Sequence, residues 1–149
     1  MFPILNIAVC DDERYELQRM NHLLLCISDK LQIPVHIAAF DNSKTLLAAV
    51  SENPLAFDIL FLDVYIDEKL GLDIARAVRK KNQACVIIFS TAFADKMVDS
   101  FQYRASAYLV KPVDEESLTS AMQTALNHLK VMPSLYLRVK GMEYSFPYD

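Results

Sequence analysis

Five short apolar runs are spaced through the chain, and most of their positions carry no polar residue: Asn6 to Cys10 (NIAVC), Pro34 to Phe40 (PVHIAAF), Phe57 to Leu62 (FDILFL), Val86 to Phe89 (VIIF) and Ala107 to Val110 (AYLV). A strand with one face in water alternates apolar and polar residues. A strand that is apolar throughout needs cover on both faces. Between the runs the apolar residues recur at helical spacing, so each strand is followed by a helix that can supply that cover. Strands joined in this way lie parallel, and their crossovers are right-handed. The pattern predicts an α/β chain, a doubly wound five-stranded parallel sheet with helices on both faces.

The helices are legible from their stripes and caps. Leu17, Met20, Leu24 and Ile27 predict a helix from about Glu13 to Ser28. Asp41, Asn42 and Ser43 offer capping oxygens for a helix containing Leu46, Leu47 and Val50. Gly71 to Lys80 is helical, with Leu72, Ala75 and Val78 inward and Arg76, Arg79 and Lys80 outward. A less regular helix is expected over Asp95 to Tyr103. Asp114 caps a last one, along which Leu118, Met122, Leu126 and Leu129 form the apolar face. After Pro133 the texture changes: SLYLRVKGMEYSFPYD alternates around Gly141 and reads as a hairpin. Residues 132–149 are therefore expected to be a linker and the truncated start of a further domain.

With 149 residues, 53% of them hydrophobic and 23% charged, the chain has the composition of one globular unit with a single substantial core. Its net charge of −4 offers no basic surface to nucleic acid. Cys10, Cys26 and Cys85 are odd in number and have no metal-ligand spacing, and two of them sit in apolar runs. They read as buried thiols in a reducing, cytoplasmic setting. The amino-terminal run lacks a basic residue before it and meets carboxylates at once, so neither a signal peptide nor a membrane span is expected.

In an open α/β sheet, ligands bind beyond the carboxyl ends of the strands. There the first strand delivers Asp11 and Asp12, the third Asp63, the fourth Thr91 and the fifth Lys111. Any one of these could merely cap a turn or helix. All five at matching ends describe a site. Three carboxylates crowded together raise at least one pKa unless a cation shares them, and a donor set of oxygen alone suits Mg²⁺. His22, His36 and His128 fall at no strand's carboxyl end and read as ordinary helix and strand residues.

The segments VCDDE, ILFLDV, STA and AYLVKP, in that order, resemble the receiver domains of response regulators over about residues 4 to 130. The resemblance implies the flavodoxin-like receiver fold, with residues 1–131 as the receiver domain. It implies that Asp63 is the phosphoacceptor for a sensor histidine kinase and that Asp12 ligates Mg²⁺ directly. Asp11 would act through a metal-bound water, and the Tyr65 backbone carbonyl would complete the protein ligands. Lys111 would pair with the phosphoryl oxygens and Thr91 would hydrogen-bond them. Tyr108 would be an aromatic switch, although it also reads as ordinary strand packing. The Lys111–Pro112 peptide is expected to be cis, and the chain to autocatalyse its own phosphorylation and dephosphorylation without being an enzyme for other substrates. Phosphorylated copies would form a homodimer through a face that includes Met97, Phe101, Tyr103 and Arg104.

Receivers commonly carry Met-Pro after the phosphoacceptor, but Ile66 and Asp67 stand there, followed by Glu68 and Lys69, while Gly71 keeps its place. Losing proline frees a backbone dihedral, so a more mobile loop is expected. The stretches IIFSTAFADK, SFQYRASAYLVKP and LYLRVKG further resemble regulators with a LytTR-type DNA-binding domain, of which only a first hairpin near Ser134 would be present. DNA would be reached only through that missing output domain. A pseudo-receiver, binding partners without phosphorylation, stays open because of the altered loop. A Mg²⁺-dependent phosphatase with an aspartyl-phosphate intermediate would want a second Asp two residues after the nucleophile, where Tyr65 stands. With only Gly71 and Gly141, the chain has no phosphate-cradling glycine loop.

Overall fold

Each apolar run becomes a strand, and the capping residues set where the intervening helices begin. The computed structural model describes residues 4–66, 69–92 and 107–129. In chain order the elements are β1 (Leu5–Cys10), α1 (Arg14–Leu31), β2 (Val35–Phe40), α2 (Ser43–Glu52), β3 (Ile59–Asp63), β4 (Tyr65–Ile66), β5 (Lys69–Leu70), α3 (Gly71–Lys81), β6 (Val86–Thr91), β7 (Ala107–Val110) and α4 (Glu115–Leu129). Five strands form one sheet in the order β2-β1-β3-β6-β7, with every neighbouring pair parallel. The doubly wound sheet expected from the apolar runs is therefore present. The helix expected over Asp95–Tyr103, its surface residues Met97, Phe101, Tyr103 and Arg104, and the segment from 132 onward lie outside the described residues.

Strand alternation divides the core in two. Ile7, Val9, Ile59, Phe61 and Ile88 face α1 and α4, packing on Leu24, Ile27, Met122 and Leu126. Ala8, Cys10, Leu60, Leu62, Ile87 and Phe89 face α2 and α3, against Leu46, Val50, Ile74 and Val78. The central strands β1, β3 and β6 are almost wholly buried, whereas β2, at the sheet's edge, is half-exposed and leaves His36 in solvent. His22 and His128 are exposed as well. Cys10 and Cys85 are buried, none of the three cysteines is in a disulfide, and burial pushes the Cys85 thiol up to about 12. Among the described residues, no helix is long and apolar enough to cross a membrane.

The caps act as their chemistry dictates. Of the three capping candidates before α2, Asn42 is the one used, its Oδ1 accepting from Thr45 N–H at 2.9 Å. Asp114 Oδ1 accepts from Ser117 N–H at 2.7 Å and opens α4. That bond holds the Asp114 carboxyl below its ordinary pKa. Helix α1 runs three residues beyond Ser28, because no glycine or proline stops it. It closes only where Gln32 takes the left-handed conformation (φ 55°), with its N–H donating to the Asp29 carbonyl.

A buried side chain ties the strands together at the edge of the sheet opposite their carboxyl ends. Buried Asn82 donates from Nδ2 to the carbonyls of Pro54 (3.1 Å) and Phe57 (3.4 Å), and its Oδ1 accepts from the N–H groups of Ala84 and Cys85 (3.0 Å each). It thus ties the segment entering β3 to the one entering β6. Asn82→Ala strands several of these backbone groups and is expected to cost about 2–3 kcal/mol. Urea unfolding should show a lower midpoint with an unchanged slope.

Candidate functional site

Strands β1 and β3 are adjacent and in register, Cys10 beside Leu62, so the residues that follow them emerge side by side. Asp11 leaves β1, Asp63 is the last residue of β3, and a carboxylate oxygen from each of Asp11, Asp12 and Asp63 lies within 4.8 Å of the other two. Asp11 and Asp63 are buried (5% and 7% exposed), and Asp12 opens the cluster to solvent. Lys111 follows β7, and its peptide bond to Pro112 is cis. Its ammonium donates to Asp11 Oδ2 at 2.7 Å and to Asp63 Oδ2 at 2.9 Å.

The remaining oxygens are also held. Asp11 Oδ1 accepts from Glu13 N–H at 2.9 Å, so Asp11 is both a turn-capping residue and a member of the acidic cluster. Asp63 Oδ1 accepts from Tyr65 N–H at 3.1 Å. Burial raises the Asp63 pKa above the ordinary carboxylate value, and hydrogen bonding and charge from Lys111 oppose that rise without cancelling it. Burial works against the Lys111 ammonium too, but hydrogen bonds and charge from Asp11 and Asp63 together outweigh it and push its pKa up to about 12. Three carboxylates thus face one fixed cation, leaving negative charge in excess. The donors are oxygens only, without His or Cys, which is the chemistry a hard divalent cation takes. These residues could hold a metal ion.

The other residues singled out from the sequence lie nearby in different settings. Thr91 is the buried last residue of β6, one beyond the Ser90 that pairs with Asp63, and its carbonyl accepts from Lys111 N–H at 2.8 Å. Tyr108 stands on β7 beside Phe89, half-buried against the core shared with α2 and α3, with its hydroxyl out of solvent. Tyr65 lies on β4 and keeps part of its ring in water.

On either side of the expected loop, Tyr65 pairs with Leu70 and Ile66 with Lys69 as a small antiparallel ladder, and Asp67 and Glu68 between them lie outside the described residues. Ile66 is fully buried in the α2/α3 core, and Gly71 N–H donates to the Val64 carbonyl, tying the start of α3 back to the end of β3. The pairs Tyr-Ile and Lys-Leu flanking two acidic residues were the available signal, but no Asn-Gly or Gly marks a hairpin there. A second feature unforeseen from the sequence is Arg19. Its Nε and Nη2 donate to the Val113 carbonyl at 3.2 and 2.6 Å, across 94 positions of chain.

A parallel α/β sheet whose central carboxyl edge gathers three aspartates around a lysine defines a class of acidic, cation-competent sites. The chain belongs to the response regulator receiver domain family, whose model matches residues 7–123. It is similar to the sensory transduction protein LytT of Bacillus subtilis, 30% identical over 123 residues, which span 80% of this chain and 47% of that protein. It also resembles the LytT protein of Enterococcus faecalis, 25% identical over 81% of this chain and 48% of that one. The chain therefore spans about half the length of these curated relatives. Among solved structures, a receiver domain protein from Clostridium thermocellum superposes with a TM-score of 0.71 at 26% identity, covering 83% of this chain and 94% of that one.

Proposed function

We propose that this chain is the phosphoryl-accepting module of a two-component response regulator, with Asp63 as the acceptor. The observation that carries this reading is the Lys111 ammonium lying between Asp11 and Asp63 at the edge of the sheet. Asp63 Oδ attacks the phosphorus of a kinase phosphohistidine. The P–N bond breaks, a P–O bond forms, and the imidazole leaves neutral, taking a proton from solvent. A carboxylate is a weak nucleophile toward an anionic donor, and burial helps by stripping Asp63 of water. Tyr65 N–H fixes one oxygen of Asp63, and Lys111 supplies positive charge where the phosphoryl oxygens arrive. Asp11, Asp12, Asp63 and the Tyr65 backbone carbonyl would hold Mg²⁺, which when bound neutralises phosphoryl charge and aligns donor and acceptor.

Thr91 and Tyr108 then report the modification. The Thr91 hydroxyl moves to a phosphoryl oxygen, Tyr108 follows, and two phosphorylated copies pair. The chain acts on no substrate but itself, catalysing its own phosphorylation and dephosphorylation. The relatives named LytT are matched over about half of their length, which supports a further domain in the whole protein. The resemblance of IIFSTAFADK, SFQYRASAYLVKP and LYLRVKG favours a LytTR-type output domain as the part that meets DNA. The apolar cysteines and the lack of a membrane-crossing helix among the described residues support a cytoplasmic setting.

Acetyl phosphate and Mg²⁺, followed by intact mass, should add one phosphoryl group. A chain that stays unmodified under conditions that phosphorylate other receivers would return the phosphorylation-independent interaction module. Sedimentation with Mg²⁺ and beryllofluoride should show self-association tightened by about tenfold, with the gain reduced by Tyr108→Ala. Equal association with and without bound mimic would move the output to another face.

A further inference from the structure

We propose that Arg19 is a positioning residue for the Lys111 ammonium, a strut between the helix that leaves the acidic pair and the loop that carries the cation. Helix α1 starts directly after Asp11, Asp12 and Glu13, so its axis is tied to the acidic pair, and Arg19 stands well inside its first half. From there the guanidinium reaches Val113, two residues beyond Lys111, with two N–H groups converging on one carbonyl oxygen. Val113 is buried at 3% exposure, so that carbonyl needs a protein donor. On its other side the loop is anchored by Lys111 N–H on the Thr91 carbonyl. Lys111 is thus held between a bond to β6 and a bond to α1.

The surroundings show why a strut is needed. Arg19, Lys111 and Val113 border a small cavity of about 10 Å³ that Glu16, Ser90 and Phe61 also line. A gap of this size, about one water-sized probe, leaves the Lys111 loop room for a slight shift once its bond to α1 is lost. A guanidinium suits the task because its planar fork sets both distance and direction, where a lysine would set distance alone. A displacement of about 1 Å at a charge-stabilising group costs up to about a hundredfold in rate. The inference rests on the phosphoryl-acceptor reading, because it assigns Arg19 a role in placing the cation that reading uses.

The test compares the parent with Arg19→Ala, Arg19→Lys and Ala125→Gly, the last loosening the α1/α4 core from a position about three turns into α4. Two measurements are made well below every unfolding midpoint. One is the Lys111 ammonium resonance in ¹H–¹⁵N spectra of the metal-free protein. The other is the rate of phosphorylation by acetyl phosphate at saturating Mg²⁺, as a function of donor concentration. Arg19→Ala should broaden or shift the Lys111 resonance and lower the maximal rate about tenfold, with little change in the half-saturating donor concentration. Arg19→Lys, which can set distance but not direction, should fall between the parent and Arg19→Ala in rate, and Ala125→Gly should keep both the resonance and the rate. An unshifted Lys111 resonance in Arg19→Ala, or equal slowing in Ala125→Gly, overturns the proposal. If the parent itself takes no phosphoryl group, the acceptor reading fails on its own, and the resonance alone decides whether Arg19 places Lys111.

Discussion

The Asp63→Asn protein is expected to fold, to remain monomeric in acetyl phosphate and Mg²⁺, and to gain no acid-labile phosphoryl group. Asparagine keeps the shape, and its single amide oxygen can accept from Tyr65 N–H or from Lys111, while β3 stays held by its ladders to β1 and β6. What is lost is the anionic nucleophile, and an amide oxygen does not replace it. The same substitution should stabilise the fold at neutral pH. Burial raises the Asp63 pKa in the folded chain, so as pH rises from the unfolded value, about 3.9, the unfolded chain gives up its proton first. Folding stability falls through that window and stays lower above it. Asp63→Asn removes the loss, so its thermal midpoint should exceed the parent's at pH 7, and the gap should close as pH is lowered below the unfolded value. A phosphoryl adduct at a parental rate would mean that another residue is the acceptor. A lower midpoint at pH 7 would mean that the Lys111 pair stabilises more than burial costs.

Gly71→Ala carries the largest expected loss of stability. A Cβ at this position would overlap the Asp63 carbonyl oxygen and press on the Val64 Cα, backbone atoms of a fully buried strand end. No flexible side chain is there to yield, so either the start of α3 or the end of β3 must shift. Gly71 opens α3, where alanine alone would gain up to about 1 kcal/mol of helix propensity. The overlap should outweigh that gain and leave a net loss of about 3 kcal/mol or more. Because the displaced atom belongs to Asp63 itself, phosphorylation of the surviving folded protein should also slow, by about tenfold. Urea unfolding measures the first effect and single-turnover phosphorylation the second. A neutral stability change would show that the hairpin adjusts freely and that Gly71 does not hold Asp63 in place.

The sheet was legible because its three central strands are buried on both faces, which leaves unbroken apolar runs such as VIIF that no exposed strand could carry. The acidic site was legible for a topological reason, since parallel strands send all their carboxyl ends to one edge. What sequence reading did not reach were contacts whose partners are backbone atoms far along the chain. Arg19 reads as one more solvated charge on α1 until β7 brings the Val113 carbonyl beneath it. Nothing in the sequence around Asn82 marks the amide that holds Pro54 and Phe57. Carbonyl oxygens are identical at every position, so no residue type marks the one that will be met. The β4–β5 pairing was hidden differently, because each strand has two residues, too few for a period to show.

The bonds from Lys111 to Asp11 and Asp63 span 100 and 48 positions of chain. Contacts this remote in sequence carry a larger loop-closure cost than the local ones. On the ribosome, the acid pair leaves the exit tunnel 100 residues ahead of its counter-charge. The central strand ending in Asp63 can be complete and yet have no ammonium beside it. On the phosphoryl-acceptor reading proposed above, a chain cut before residue 111 lacks the ammonium beside Asp63 and should be a poor phosphoacceptor. The site doubles as a report that the whole sheet has been assembled.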